Sequence, residues 1–291
     1  MTILLAGCTG FLGSYLLKSF IKNGYKVIAL KRSNSNTYRI EEYLNQIILY
    51  DIDKTEFSTI FKNHKINIVV NTVTNYGRKD IQISSIVDTN LIFGLKLLEE
   101  SVNANVKAFI NTDTLLERNI NAYALSKAQL VDWIKFLSNK NTKIINIKIE
   151  HMYGQFDDEN KFIYWLINQL KQNVEKIDLT SGVQKRDFIY IDDIVNAYEI
   201  IIKNIDTLLN YEEFELGSGN SVEVKEIVEQ IVKELNASMI VTTKLNFGGI
   251  TYRTNENMDM QANIVKLQHL GWEPQVSIED GIKKILKEEN R

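Results

Sequence analysis

The chain has 291 residues, 44% of them apolar and 24% charged, with a formal net charge of −3. That allows one large domain or two modest ones, and so small a negative charge makes no case for a nucleic-acid or anionic-membrane partner. No apolar run approaches the roughly 20 residues that cross a bilayer.

Residues 2–6 form an apolar run that stops at Gly7, the pattern of a strand buried on both faces. Residues 11–23 follow with helical spacing, Leu12, Tyr15, Leu16 and Phe20 sharing one side. Strands are expected at 26–30, 46–50 and 66–71, with a helix at 56–62. A long helix is expected at 83–102, a strand at 107–111, a helix at 122–138 and a strand at 143–149. This alternation predicts an α/β fold, a Rossmann doubly wound parallel sheet. Past residue 150 the rhythm changes to a smaller mixed α/β part. There helices are expected at 161–171, 192–203 and 222–235, and strands at 187–190, 214–216 and 239–242. The expected domains are 1–151, with a return segment near 187–195, and 152–291. With no linker between them, a ligand cleft is expected where they meet.

The first ten residues, MTILLAGCTG, lack a basic segment and do not read as a signal peptide. One cysteine excludes an internal disulfide framework and fits a reducing compartment, so a cytoplasmic location is expected. Cys8 reads as a small residue filling a tight turn. The three histidines, His64, His151 and His269, are far apart in sequence, and no metal site is expected.

Gly7, Gly10 and Gly13 stand directly after a strand, with Phe11 and Leu12 opening a helix. The first glycine permits the turn, the second a close backbone approach to a pyrophosphate, and the third close packing of helix on sheet. The helix N-terminus favours phosphate. A dinucleotide cofactor is therefore expected. The second strand ends Leu30-Lys31-Arg32-Ser33, with no carboxylate to accept from ribose hydroxyls but two cations suited to a 2′-phosphate. NADPH is favoured over NAD. Asp51, followed by Ile52, is placed after the third strand to accept from an adenine amino group.

Tyr123 and Lys127 form a Tyr-x-x-x-Lys pair, and so do Tyr50 and Lys54. Placement separates the two. Residues four apart share a face on a helix, where Tyr123 and Lys127 are expected, and do not share a site at a strand end. An ammonium beside a phenol favours phenolate and lowers its pKa from about 10, so proton exchange near neutral pH is expected. Thr112, after the preceding strand, can hold a carbonyl or alcohol oxygen nearby.

Two further segments carry a family likeness: Arg186 to Asp193 (RDFIYIDD) and Phe214 to Gly219 (FELGSG). With the glycine loop and the Tyr/Lys pair, they make the chain resemble the extended short-chain dehydrogenase/reductase family over nearly its whole length. The resemblance implies hydride transfer between a nicotinamide and a sugar carbon of a nucleotide sugar bound by the second domain. Tyr123 is then the acid/base, Lys127 lowers its pKa, Thr112 orients the oxygen and Asn90 helps order the site. Asn160 and Arg186 match positions that contact the nucleotide diphosphate, and Arg253 is a further candidate. Residues 148–154 (KIEHMYG), 159–163 (ENKFI), 109–113 (FINTD) and 74–77 (TNYG) resemble segments of nucleotide 4-keto-6-deoxyhexose reductases. Those enzymes serve deoxysugar biosynthesis for surface polysaccharide. Tyr76 and His151 are implied near the sugar, with CDP favoured as the nucleotide over dTDP or GDP.

A dehydratase of the family needs Asp-Glu after the threonine, whereas this chain has Asp113-Thr114. Dehydration is not expected. Reduction stays open beside C4 epimerisation with tightly held NAD and beside a dinucleotide-sensing regulator without turnover. The resemblance also implies a homodimer, pairing the helices at 83–102 and 122–138 into a four-helix bundle.

Overall fold

A computed structural model describes residues 1–78, 82–138, 141–254 and 256–288. The chain divides into two compact units, Met1–Ile149 with Tyr198–Phe214, and Glu150–Ala197 with Glu215–Arg291.

The first unit is built on strands β1 (Thr2–Ala6), β2 (Lys26–Lys31), β3 (Ile48–Asp51), β4 (Ile68–Asn71), β5 (Ala108–Thr114) and β6 (Lys143–Ile149). They run parallel in the order β6-β5-β4-β1-β2-β3, and the strand Tyr211–Leu216 flanks β6 as the seventh among the described residues. Helices α1 (Phe11–Lys22), α2 (Phe57–Asn63), α3 (Ile83–Val87), α4 (Phe93–Asn103) and α5 (Ala122–Leu137) supply the connections. The doubly wound parallel sheet expected from the sequence is present. Ile3, Leu4, Leu5, Ile68, Val69 and Val70 are fully buried, which is why these strands read as unbroken apolar runs. Leu4, Val69 and Phe109 of the sheet pack with Leu97 and Leu98 of α4 and Leu130 and Ile134 of α5 in one cluster.

The helix expected at 83–102 is present as one helical stretch, 83–103, with a π-helical bulge inside it. Between α3 and α4, Asp88–Ile92 forms a π-helical turn. There Thr89 bonds back to the Ser85 carbonyl (2.9 Å), while Asn90 is buried and bonded to Asn75 and Ser126. Polar side chains competing for the local backbone explain the bulge.

In the second unit, His151–Tyr153 runs parallel to Lys185–Tyr190, which pairs antiparallel with Ser221–Glu223. Lys176–Leu179 pairs in parallel with Lys244–Phe247. The strand expected at 239–242 is not formed. The amide of Val241 is taken by the Asn236 side chain (3.0 Å) and that of Thr242 by Asn173 (2.7 Å), leaving the ladder to begin at Lys244.

The Arg-Asp-Phe…Asp-Asp segment works as a pair of staples in this unit. Asp187 accepts from the backbone N–H groups of Ser218 (2.7 Å), Gly219 (3.0 Å) and Ala262 (3.1 Å). Asp193 accepts from those of Gln275 and Val276, both at 3.0 Å, and its carbonyl receives the indole N–H of fully buried Trp272. Among the described residues no helix is long and apolar enough to cross a membrane.

Candidate active site

Gly7 sits at φ +85°, a conformation L side chains rarely adopt. A Cβ on Gly13 would lie 2.0 Å from the Gly7 carbonyl oxygen, so only glycine lets α1 start this close to the loop. Phe11 and Leu12 are buried at the head of α1, while Gly10 is exposed at its N-cap. This cradle of bare backbone at a helix N-terminus fits a dinucleotide pyrophosphate. Cys8 is buried beneath it, its thiol directed at the Leu30 carbonyl (3.3 Å) and pushed up to about 12 by burial. An unreactive turn-filling residue is what that environment makes.

Lys31 and Asp51 face each other in register at the ends of β2 and β3. The Lys31 ammonium caps the Arg32 carbonyl (3.1 Å), Arg32 is exposed, and the Ile52 N–H bonds the Lys31 carbonyl (2.9 Å). Ser33 donates its hydroxyl to Asp51 (2.7 Å) and its N–H to Asp53 (2.8 Å). The serine's hydrogen bond holds the Asp51 carboxyl below its usual range. Two carboxylates thus share this edge with the basic pair, and Asp53 was not among the residues the sequence singled out.

Asn121 caps α5 by accepting from the Ala124 N–H (2.8 Å). One turn in, Tyr123 and Lys127 lie on a common side. Lys127 is 1% exposed and donates to the carbonyls of Thr112 (2.9 Å) and Val73 (3.2 Å). Burial lowers its pKa to about 8, opposed by the charge of Asp113. The decoy pair is employed otherwise: Tyr50 bonds His64 (2.9 Å), and Lys54 pairs with Asp51 (3.6 Å).

The expectation that Lys127 lowers the Tyr123 pKa is corrected here. Burial pushes the phenol above its ordinary range, Tyr76 and Asp113 add to the rise, and a hydrogen bond with the Thr114 side chain opposes it. The ammonium meanwhile is held by backbone carbonyls. Thr112 also differs from expectation. It is buried and shares a 2.7 Å hydrogen bond with the Tyr198 hydroxyl, while Thr114 is the threonine beside Tyr123. Tyr76 stacks obliquely on Tyr123, ring centroids 5.2 Å apart.

Asn90, expected to help order the site, is bonded to the backbone of Asn75 and to Ser126. It accepts from the Asn75 N–H (2.7 Å) and donates to the Asn75 carbonyl (2.9 Å) and to Ser126 (3.0 Å), tying the Tyr76 loop to α5. A ladder of asparagines lies deeper. Asn71, Asn111 and Asn146 are aligned in register on β4, β5 and β6, and each amide donates to the next (3.2 and 2.9 Å). Asn146 then donates to Asp113 (3.0 Å) and Glu213 (3.2 Å), and Glu213 also pairs with Lys148 (2.6 Å). Sequence reasoning missed this row, although each strand announces it by closing an apolar run with asparagine. Tyr198 gave no such signal, since only the fold brings it to Thr112.

The remaining candidates belong to the second unit. His151 bonds Glu150 (2.8 Å) and packs on Phe188. Asn160 is exposed in a turn, and Arg253 is exposed. Arg186, expected to meet a diphosphate, is 7% exposed and engaged by Glu256 and the Lys185 carbonyl.

A model of the NAD dependent epimerase/dehydratase family matches residues 3–217. The chain belongs to that family. It is therefore an NAD(P)-dependent oxidoreductase by descent. It is 37% identical to CDP-abequose synthase of Salmonella muenchen, over 98% of this chain and 96% of that protein. It is 30% identical to the CDP-abequose synthase of Salmonella typhimurium, over 98% and 97%. Its fold is that of the UDP-glucose 4-epimerase of Thermotoga maritima, with a TM-score of 0.83, 22% identity and coverage of 100% and 99%.

The buried ammonium has a consequence for stability. An unfolded lysine keeps its proton to its ordinary 10.5, whereas folded Lys127 gives it up near 8. Between those values the unfolded chain binds more protons, so this group's penalty is fully present below about pH 8 and fades as pH rises toward 10.5. Lys127→Met is expected to be more stable than wild type at pH 7, with the gap closing by pH 10 in urea titrations. A gap independent of pH would contradict the buried-charge assignment.

Proposed function

We propose that the chain reduces the C4 ketone of a nucleotide-activated 4-keto-6-deoxyhexose with NADPH, CDP being the favoured nucleotide, as a step in deoxysugar synthesis for surface polysaccharide. The observation that carries this reading is the placement of Tyr123. It lies one helical turn from a buried ammonium, in a family whose members include the CDP-abequose synthases this chain resembles.

When bound, the nicotinamide supplies a hydride. The protein's own part is to place and move a proton. As hydride reaches C4, the Tyr123 O–H bond breaks and its proton goes to the C4 oxygen, leaving a phenolate one helical turn from the Lys127 ammonium. In this reading Tyr198 is the donor to Thr112, a pair in which either hydroxyl can donate. The Thr112 hydrogen is then available to hold the ketone oxygen. The absence of glutamate after Asp113 leaves no base for eliminating water. His151, Asn160, Arg186 and Arg253 are proposed on the nucleotide-sugar side, Arg186 after exchanging Glu256 for phosphate oxygens. A protein that keeps its one cysteine buried and reduced supports the cytoplasm as its compartment.

Asp51 and Asp53, beside Ser33, favour a second reading. Carboxylates at that edge suit ribose hydroxyls, hence NAD and a C4 epimerase. Turnover separates the two. Offered CDP-, dTDP- and GDP-4-keto-6-deoxyhexoses, a reductase consumes NADPH in step with product, and an epimerase consumes none. Wild type is expected to oxidise NADPH with the CDP sugar, and Tyr123→Phe to lose at least about tenfold in kcat. A phenylalanine variant near wild-type rate would remove Tyr123 from the chemistry.

The cofactor preference has its own test. Arg32→Asp is expected to weaken NADPH binding by about tenfold or more and NADH binding far less, in fluorescence titration. Equal losses would favour the NAD reading.

Exposed apolar side chains on α3 and α5 support the homodimer. Ile83 is 67% exposed and Phe136 74%, with Trp133 set edge-on to Phe136 (6.1 Å). Exposure on that scale marks an association surface. Wild type should sediment as a dimer at micromolar concentration and Trp133→Glu as a monomer; a monomeric wild type would refute the bundle.

A further inference from the structure

Past Lys31 at the end of β2, residues 32–35 close into a turn. The Ser35 N–H donates to the Arg32 carbonyl and the Arg32 N–H to the Ser35 hydroxyl, both at 3.1 Å. Ser33, exposed within that turn, has two donors of its own, and both go to carboxylates from the exit of β3. Its hydroxyl is bonded to Asp51 (2.7 Å) and its N–H to Asp53 (2.8 Å). The two carboxylates are not held alike. Asp51 is half-buried, also accepts from the Asp53 N–H (3.1 Å) and pairs with Lys54 (3.6 Å). Asp53 is exposed, and among the described residues its carboxylate has one hydrogen-bond donor, the Ser33 N–H. One exposed hydrogen bond is a weak latch.

A ribose hydroxyl can donate to a carboxylate, whereas a phosphate monoester in the same place accepts hydrogen bonds and carries negative charge. The exposed Arg32 guanidinium with the Ser33 N–H and hydroxyl offers a phosphate the donors it needs, but Asp53 already holds one of them. We propose that Asp53 limits the preference for NADPH: its carboxylate occupies the Ser33 N–H that a 2′-phosphate would take, so NADPH binds by displacing it while NADH leaves it in place. Both dinucleotides then serve the chain, with the cations drawing the phosphate in and one carboxylate holding the difference down. The inference rests on the NADPH reading of the Lys31–Arg32 edge. It assigns selectivity to a residue 20 positions from Ser33, outside the basic pair at the end of β2. Asp51 has a different part, because its other donors fix it whether or not Ser33 is released.

The test measures binding of NADPH and NADH by nicotinamide fluorescence. Asp53→Asn keeps the size of the side chain and removes its charge. It is expected to tighten NADPH about tenfold and to move NADH by less than about threefold. Asp53→Ser removes the charge by another route, is expected to act the same way, and decides if the asparagine variant fails to fold. Calorimetry with adenosine 2′,5′-bisphosphate and adenosine 5′-monophosphate should repeat the contrast, which locates the effect at the ribose. Unchanged NADPH affinity in both variants, or an equal gain for NADH, overturns the role of Asp53 and leaves the NADPH reading standing. A large loss of NADH with NADPH unmoved shows Asp53 holding ribose hydroxyls and likewise overturns it. A wild type that binds NADH alone, with NADPH binding gained in Asp53→Asn, supports the role of Asp53 while overturning NADPH as the preferred cofactor.

Discussion

Lys127 is buried almost completely, and burial on its own would strip its charge. Two things hold the ammonium: the carbonyls of Val73 and Thr112, and the negative charge of Asp113. Both carbonyls lie at the C-terminal ends of parallel strands or just past them, so the lysine ties α5 to the end of the sheet where open α/β folds gather their ligands. Any shift of β4 against β5 would separate the two acceptors and leave a buried charge half-bonded, at a cost of several kcal/mol. The position of Tyr123 follows from that constraint, because the two residues share one rigid turn of helix.

The asparagine ladder explains how the two acceptors are kept in place. Asn71, Asn111 and Asn146 stand side by side across β4, β5 and β6, with every amide pointing the same way toward Asp113 and Glu213. The Asn71 oxygen also accepts from the Val73 N–H (3.2 Å), so the peptide that leads to one lysine anchor is fixed by the ladder itself. A parallel sheet is ordinarily closed at this depth by apolar side chains. Replacing one amide would leave its neighbours unpaired in a dry interior, costing about 1–3 kcal/mol. The row therefore adds register specificity where a one-residue slip would put Val73 and Thr112 out of step.

The parts of the molecule that could be read from sequence are those governed by local pattern. The glycine loop, the strands of the first unit and the Tyr123/Lys127 pair each depend on spacing within a few residues. What could not be read depends on contacts distant in the chain. Tyr198 meets Thr112 across 86 residues, and Glu256 meets Arg186 across 70. The π-helical bulge at Asp88–Ile92 leaves no mark on the apolar pattern of its helix, and only the inward bonds of Asn90 report it. The assumption about Tyr123 failed for a related reason. Sequence proximity put an ammonium near the phenol, but burial of that phenol, with Tyr76 and Asp113 close by, outweighs it.

That imbalance has a bearing on direction. Reduction of a ketone asks the tyrosine to begin as an acid, with its proton in place when hydride arrives. Epimerisation starts from an alcohol and asks the same tyrosine to begin as a base, which needs a phenolate populated near neutral pH. Here burial, Tyr76 and Asp113 all favour the protonated phenol, and Thr114 opposes them as a neutral hydrogen-bond partner. In the proposed reduction, this keeps the tyrosine's proton in place for the C4 oxygen. Ligands will change the field around Tyr123, since a dinucleotide brings its own charges to the glycine loop. They would have to offset burial, Tyr76 and Asp113 before the tyrosine could begin as a base.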